Sequence, residues 1–335
     1  MAESKAKNRT MTIRTIATLA GCAPSTVSRV LSGRYGNVRV SPPVQEHILE
    51  ICRQHNYHPN IHASRAFSKR CGVLGLAVQK LSHFDDGNLS RYVDGLHETL
   101  SPLGYQLLLL SASEEWIAAG EHLAAFRRRE MDGIFVWGHY GDPRWLDSLA
   151  EHGFPFIAAA NRVGNHPSAI CDEAAGMQAL VNHCRSQGAQ RLLYLSGCET
   201  IDCPHRRRHA FELAATDLDA RVVTLEGFTI SDGHRAAPTV ADWRPDAVLC
   251  VNDATAVGVI MGLKETGVAV PEDIRVAGCD NSALAPYMFP ALTTYDSMAR
   301  ECGAESVRAM DSHLGQGEPL TSIKLTPTLH IRESA

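Results

Sequence analysis

No apolar run in this 335-residue chain approaches the roughly 20 residues needed to span a bilayer, so no transmembrane helix is expected. The first nine residues are polar and lack the apolar core of a secretory signal, which points to the cytoplasm. The ten cysteines contain no CxxC pair, and reduced buried thiols are expected rather than a disulfide framework or a zinc site. No GxxxxGK[ST] occurs, and no GxGxxG follows the first predicted strand, which disfavours nucleotide hydrolysis and dinucleotide redox chemistry. GxSxG and HExxH are also missing. His205 and His209 have the i, i+4 spacing of a metal pair, but Arg206, Arg207 and Arg208 lie between them and would repel a cation. No cofactor is therefore expected.

What is present is an uneven spread of charge. Residues 1–70 carry eleven Lys and Arg against three Glu, whereas the rest of the chain carries 21 basic and 34 acidic residues. A basic head on an acidic body suggests that the first segment meets a polyanion; a solvated basic arm without function gives the same count.

Thr12 is placed to cap a helix in which Ile13, Ile16, Ala17 and Ala20 recur at helical spacing. Gly21 breaks that helix, and after Cys22-Ala23 a second begins with Pro24 at its first position. Val27, Val30 and Leu31 fall on one side of it, and Ser25, Ser28, Arg29 and Ser32 on the other. The first helix must cover the apolar stripe, which leaves hydroxyls and a guanidinium outward. That is the geometry of a helix-turn-helix, or of an ordinary helical hairpin with a solvated face. Ser41 as cap and Pro42 open a third helix, with Val44, Ile48, Ile51 and Cys52 as its stripe. Residues 61–70 are basic with weak helical character.

From Gly72 apolar strands alternate with helices. Strands are predicted at 73–79, 105–111, 132–137, 155–160, 191–196, 221–226, 246–251 and 274–279. Helices are predicted around 89–102, 115–130, 143–152, 173–187, 205–216 and 253–266. Such alternation implies parallel βαβ units, and two blocks of it imply two doubly wound subdomains with a cleft at the carboxyl ends of their strands. Polar residues directly after strands are the candidates for chemistry: Asn161-Arg162, Asn252-Asp253 and Asp280-Asn281, with Arg207 opening an Arg-x-x-Ala-Phe segment. Arginine and Asp or Asn at strand ends suit a polyhydroxyl ligand or a small anion; each could equally satisfy local backbone.

Thr12-Ile13, Ala20-Gly21, Thr26-Val27-Ser28-Arg29-Val30-Leu31, Val40-Ser41 and Tyr57-x-Pro59-Asn60 resemble, in order and spacing, the DNA-binding head of the lactose/galactose repressor (LacI/GalR) family. Val251-Asn252-Asp253-Ala254, Val270-Pro271-Glu272-Asp273-Ile274, Gly278-Cys279-Asp280-Asn281 and Pro290-Ala291-Leu292-Thr293-Thr294 resemble its periplasmic-binding-protein-like effector domain. The resemblance spans residues 10–334. It implies DNA contacts from Thr12, Pro24, Ser25, Thr26, Ser28, Arg29 and Asn60, and effector contacts from Asn161, Arg162, Arg207, Asn252 and Asp280. Phe228 falls near an aromatic on which sugars stack in some members. Phe84 and Asp85 lie in a loop at another usual contact.

The head and hinge depart from that pattern in four places. Ala23 stands where a capping serine is usual, and Pro24 and Ser25 occupy two base-reading positions. The loop 33–39 is longer than usual; it either sets Arg34, Tyr35 or Arg39 on the DNA backbone or is a free connection. In the hinge, the leucine that wedges into the minor groove is replaced by Ala66, so the wedge is either lost or moved to Phe67, with Arg65 beside it.

The resulting expectation is a disordered arm (1–11), a small all-α helix-turn-helix domain (12–60), a hinge (61–71) and an α/β effector-binding and dimerisation domain of two doubly wound parallel-sheet subdomains (72–335). Its function would be ligand-responsive transcriptional regulation, most simply repression. The partners are double-stranded operator DNA, a sugar or sugar-acid effector and a second copy of the chain, with no membrane. No leucine heptad follows Ser334, so a dimer is expected. A free solute-binding protein is the first rival, and the basic head argues against it. A small-molecule enzyme is the second, and no nucleophile–base pair supports it.

Overall fold

Three short helices come first: α1 (Ile13–Leu19), α2 (Pro24–Ser32) and α3 (Pro42–Gln54). The computed structural model describes residues 11–32, 39–58, 70–79, 87–138, 142–198 and 201–335, the side chain of Ser32 excepted. Contacts divide the chain into two units, Met1–Cys71 and Gly72–Ala335.

In the first unit Thr12 caps α1, its hydroxyl accepting the Thr15 N–H at 3.2 Å. Gly21 takes the turn at φ +62°, a conformation that costs glycine little. Ile16, Ala17, Val27, Val30, Ile48, Ile51 and Cys52 form the small core. Two details differ from expectation. Val44 is 38% exposed, because it sits in the first turn of α3 and the buried stripe starts one turn later at Ile48. Ser41 occupies the cap position without a side-chain bond. Pro42 and Pro43 remove donors from the first turn, and the Val44 N–H already bonds the Ser41 carbonyl at 3.0 Å.

The second unit is two twisted sheets, each with helices packed against it. The first part runs β1 (Val73–Val78), α4 (Gly87–Leu103), β2 (Gln106–Ser111), α5 (Glu114–Ala118), α6 (Glu121–Arg127), β3 (Gly133–Trp137), α7 (Arg144–Glu151), β4 (Phe156–Ala159) and β5 (Ser168–Cys171). The second runs α8 (Glu173–Ser186), β6 (Arg191–Ser196), α9 (Asp202–Ala214), β7 (Asp219–Thr224), α10 (Ile230–Trp243), β8 (Ala247–Cys250), α11 (Asp253–Glu265), β9 (Arg275–Asp280) and β10 (Thr293–Asp296). The chain then returns to the first sheet with α12 (Ala299–Gln316) and β11 (Ile323–Leu325), and ends in the second with β12 (Leu329–His330).

The sheet orders are β11-β5-β4-β3-β1-β2 and β12-β10-β9-β8-β6-β7, parallel throughout except for the β10–β12 pair. The chain therefore passes between subdomains three times, after β5, after β10 and after β11. Central strands such as β1 and β3 are buried along their whole length, as a sheet covered on both faces requires. Tyr194, Phe211 and Tyr295 fill one side of the second sheet, and Val240, Val259 and Leu263 the other. Helix α12 crosses α4 so closely that a Cβ on Gly95 would fall 1.9 Å from the Arg300 carbonyl oxygen, and one on Gly303 would fall 2.3 Å from that of Tyr92.

The predicted helix 115–130 is two helices, interrupted at Gly120 (φ +68°). The strand expected at 221–226 starts two residues earlier, at Asp219.

Candidate functional site

The outward face of α2 carries Pro24, Ser25 and Ser28, all exposed, while Thr26 and Arg29 are half-buried. Its opposite face buries Val27 and Val30 against α1 and α3. Helix α2 thus presents hydroxyls and one guanidinium, groups that hydrogen-bond phosphates and base edges. Arg34, Tyr35, Asn60, Arg65 and Phe67 lie outside the described residues, as do Phe84 and Asp85.

In the second unit a cavity of about 1120 Å³ lies between the two subdomains at the carboxyl ends of their strands. Asn161, Arg207, Phe228, Asn252 and Asp280, far apart in sequence, all line it. Arg162 does not: it is exposed, and its backbone N–H, Nε and Nη2 all donate to the Asp202 carboxylate. Arginine after a strand end has two directions open to it, and here the aspartate at the start of α9 decides between them.

Arg207 is the centre of the site. Its Nε donates to Glu173 Oε2 at 2.9 Å, Nη1 to the Val251 carbonyl at 2.6 Å and Nη2 to Asp280 Oδ1 at 2.8 Å. Glu173 is buried at the first turn of α8 and also accepts the Tyr295 hydroxyl at 2.6 Å and the Cys203 thiol at 3.4 Å. Burial pushes the Glu173 carboxyl up, but Arg207, Arg206 and these hydrogen bonds outweigh it and hold its pKa below the usual value. For Arg207 burial disfavours the cation, yet the acidic groups around it, Cys203, Glu173 and Asp280 among them, keep its pKa well above normal. Burial raises the Cys203 thiol far out of the reactive range.

Asp253, at the first position of α11, accepts the Thr294 hydroxyl at 2.6 Å and the Ser282 N–H at 2.6 Å. Burial, reinforced by the Asp280 charge, pushes its carboxyl up to about 6. Asn252 caps α11, accepting the Thr255 N–H at 2.8 Å, and its amide donates to the Phe228 carbonyl at 3.0 Å. Asp280 (φ +116°), Asn281 (φ +50°) and Ala160 (φ +66°) hold left-handed backbone at strand ends beside the cavity, where such strain is commonly retained.

Hydrogen bonds also tie the two walls together. Arg91, on α4 of the first subdomain, donates to the carbonyls of Asp280 (2.5 Å) and Asn281 (3.1 Å) and to the Ser297 hydroxyl (3.0 Å). Asn161 Oδ1 accepts the Cys203 N–H at 3.0 Å, and Arg206 donates to the Ala160 carbonyl at 3.1 Å. Sequence reasoning missed Arg91, Glu173 and Tyr295. Nothing in a helix-start glutamate shows that it is buried, and Arg91 reaches a partner nearly 190 residues away.

Residues 12–60 match the bacterial regulatory proteins of the lacI family, and residues 181–335 match the periplasmic binding protein-like domain. The chain is 26% identical over 334 residues to the HTH-type transcriptional regulator DegA of Bacillus subtilis, covering 96% of this chain and 97% of that protein. It is 25% identical over 312 residues to the regulator TreR of Escherichia coli, with 92% and 96% covered. Among solved structures it superposes on the lac repressor dimer bound to operator and the anti-inducer ONPF with a TM-score of 0.83 at 21% identity, covering 97% of this chain and 99% of that one. The transcriptional regulator CelR–cellobiose complex superposes with a TM-score of 0.71 at 23% identity, over 97% of this chain and all of that one.

Proposed function

The chain belongs to the lacI family of bacterial regulatory proteins, and from that premise we propose that it binds a twofold-symmetric operator as a homodimer and responds to a small effector held in the cleft of its second unit. It is a DNA-binding transcriptional regulator, not an enzyme. Repression is the simplest mode for a head that occupies DNA. Sugar binding in the cleft is the starting hypothesis, since a relative carries cellobiose in its solved complex.

The observation that carries the reading is the set of bonds across the cleft. Arg91 to Asp280 and Asn281, Asn161 to Cys203, and Arg206 to Ala160 join walls that belong to different sheets. A ligand seated among them switches the protein only by favouring one arrangement of the walls over another, which is the thermodynamic requirement. Ser25, Ser28 and Arg29 are the base- and phosphate-contacting groups in this reading, with Thr12, Pro24 and Thr26 around them and Arg34, Tyr35, Asn60, Arg65 and Phe67 as further DNA contacts. In the cleft the contacts are Asn161, Arg207, Phe228, Asn252 and Asp280, with Phe84 and Asp85 as further effector contacts in this reading.

A dimer is favoured by an exposed apolar patch after β9. Tyr287 and Phe289 are 85% and 88% exposed, with Leu284 close in sequence at 61%. Aromatics of that size left in water mark an association surface. No helix among the described residues is long and apolar enough to cross a membrane, and a regulator of this kind works where the chromosome is, in the cytoplasm.

Selection from a pool of randomised duplexes tests the reading. The protein should enrich a palindromic sequence and release or tighten on it when an effector is added. Enrichment of nothing above the starting pool at low salt would refute DNA recognition.

A further inference from the structure

The cleft is built for less polarity than a bare sugar would need. Arg207 donates to Glu173, the Val251 carbonyl and Asp280. Both ends of the Asn252 amide and both oxygens of Asp253 are engaged within the protein. Asn161 accepts the Cys203 N–H, and Asn88 accepts from Arg91 and Ser297. The charged and amide groups of the described lining are thus members of a protein network first. A hexose has about as many hydroxyls as ring atoms, and each would have to find a partner among groups already committed.

Beside these groups and the hydroxyls of Ser90, Ser231 and Ser282, most of the described lining is carbon and sulfur. Trp137, Ile170 and Cys171 come from strand ends of the first sheet, and Cys302 from α12. Ile230 and Phe228 come from the second subdomain, and the Phe228 ring packs so closely on Gly197 that a Cβ there would fall 1.9 Å from it. At about 1120 Å³ the space is slightly larger than the roughly 300–1,000 Å³ range that drug-sized ligands occupy. Charge narrows the ligand further. Arg207 pairs with Glu173 and Asp280, Arg91 pairs with Asp296, and Asp253 lines the same cavity, so among the described residues the site has no surplus positive charge for an anion.

We propose that the effector is an uncharged amphiphile with an extended aromatic or alicyclic body against the apolar wall, its few polar substituents confined to the edge that meets Arg207 and Asp280. The inference rests on the cleft being the effector site. It excludes the sugar acids.

Two dyes with one skeleton test it on the full-length protein. N-phenyl-1-naphthylamine is uncharged, 1-anilinonaphthalene-8-sulfonate is its anionic relative, and both brighten on leaving water. The neutral dye should saturate at one site per chain and bind at least tenfold tighter than the sulfonate. Phe228→Ala should weaken it about tenfold, and Ala254→Asp, a change at a half-exposed helix start, should abolish uptake while the far-UV spectrum stays the same. Equal or tighter binding of the sulfonate overturns the proposal. So does uptake that is absent, unsaturable or unchanged in both variants. Failure of the regulator reading shows elsewhere: duplex selection would fail while neutral-dye uptake at the cleft persisted.

Discussion

Arg207 on α9 and Glu173 on α8 form a buried ion pair at 2.9 Å, and Asp280 at the end of β9 closes the same guanidinium from another side at 2.8 Å. Three elements of the second subdomain therefore converge on one cation. Removing one partner of a buried pair costs about 3–5 kcal/mol, because the remaining charge is left uncompensated. Glu173→Leu should lower unfolding stability in urea by that order, and Glu173→Gln, which keeps an acceptor for the Tyr295 hydroxyl, by less. Equal losses for both would mean that the lost charge accounts for the whole effect and the acceptor for Tyr295 contributes nothing; no loss in either would mean that the ion pair is immaterial.

Asp253 gives the cleft a pH dependence. Its folded pKa of about 6 lies above the ordinary 3.8, so the folded state holds the proton more tightly than the unfolded chain does. The stabilisation from that proton is complete below pH 3.8 and is lost as pH rises through about 6, amounting to roughly 3 kcal/mol. Asp253→Asn has no proton to lose. Between pH 4 and pH 7 its stability relative to the parent should therefore rise by up to that amount, and a pH-independent difference in parallel urea titrations would refute the assignment.

Arg91 fastens α4 to the loop after β9. Charge-assisted hydrogen bonds contribute about 1.5–3 kcal/mol each. Arg91→Met should therefore speed amide exchange over residues 280–298 by roughly ten- to a hundredfold, leaving the far strand β7 unchanged. Unaltered exchange at Asn281 and Ser297 would show that the walls stay together without it.

Arg29 is the one arginine of α2, in its last turn. If it takes a base edge, Arg29→Ala should cost about 1–3 kcal/mol of operator affinity and little of non-specific affinity. Equal losses on both duplexes would make it a phosphate contact only.

Asp280→Ala should abolish the effector response while operator binding survives. A normal response would remove Asp280 from the ligand site.

The alternation of apolar strands and helices was legible because buried parallel strands read as continuous apolar runs, and β1, β3, β6, β8 and β9 all do. The short strands β5 and β10 escaped notice: four residues each, SAIC and TTYD, carry no period. Helices α10 and α12 were also unread, and α12 proved to be what returns the chain to the first sheet. In the cleft, position after a strand identifies Asn161, Asn252 and Asp280 but carries no direction, and Arg162, at the same kind of position, turns to Asp202. Glu173 and Arg91 act through partners in other elements, and pairings of that kind leave no local trace.

The three passages between the sheets have a consequence for synthesis. The first sheet is missing its edge strand β11 and its covering helix α12 until almost the last residue has been made, even though its other strands emerge early. A ribosome that stops anywhere before residue 299 releases a chain in which both lobes are unfinished, with Tyr92 and Leu96 still uncovered. Premature termination should therefore yield aggregates or proteolytic fragments and no half-sized receptor, while a break in the link to the first unit would leave the body whole.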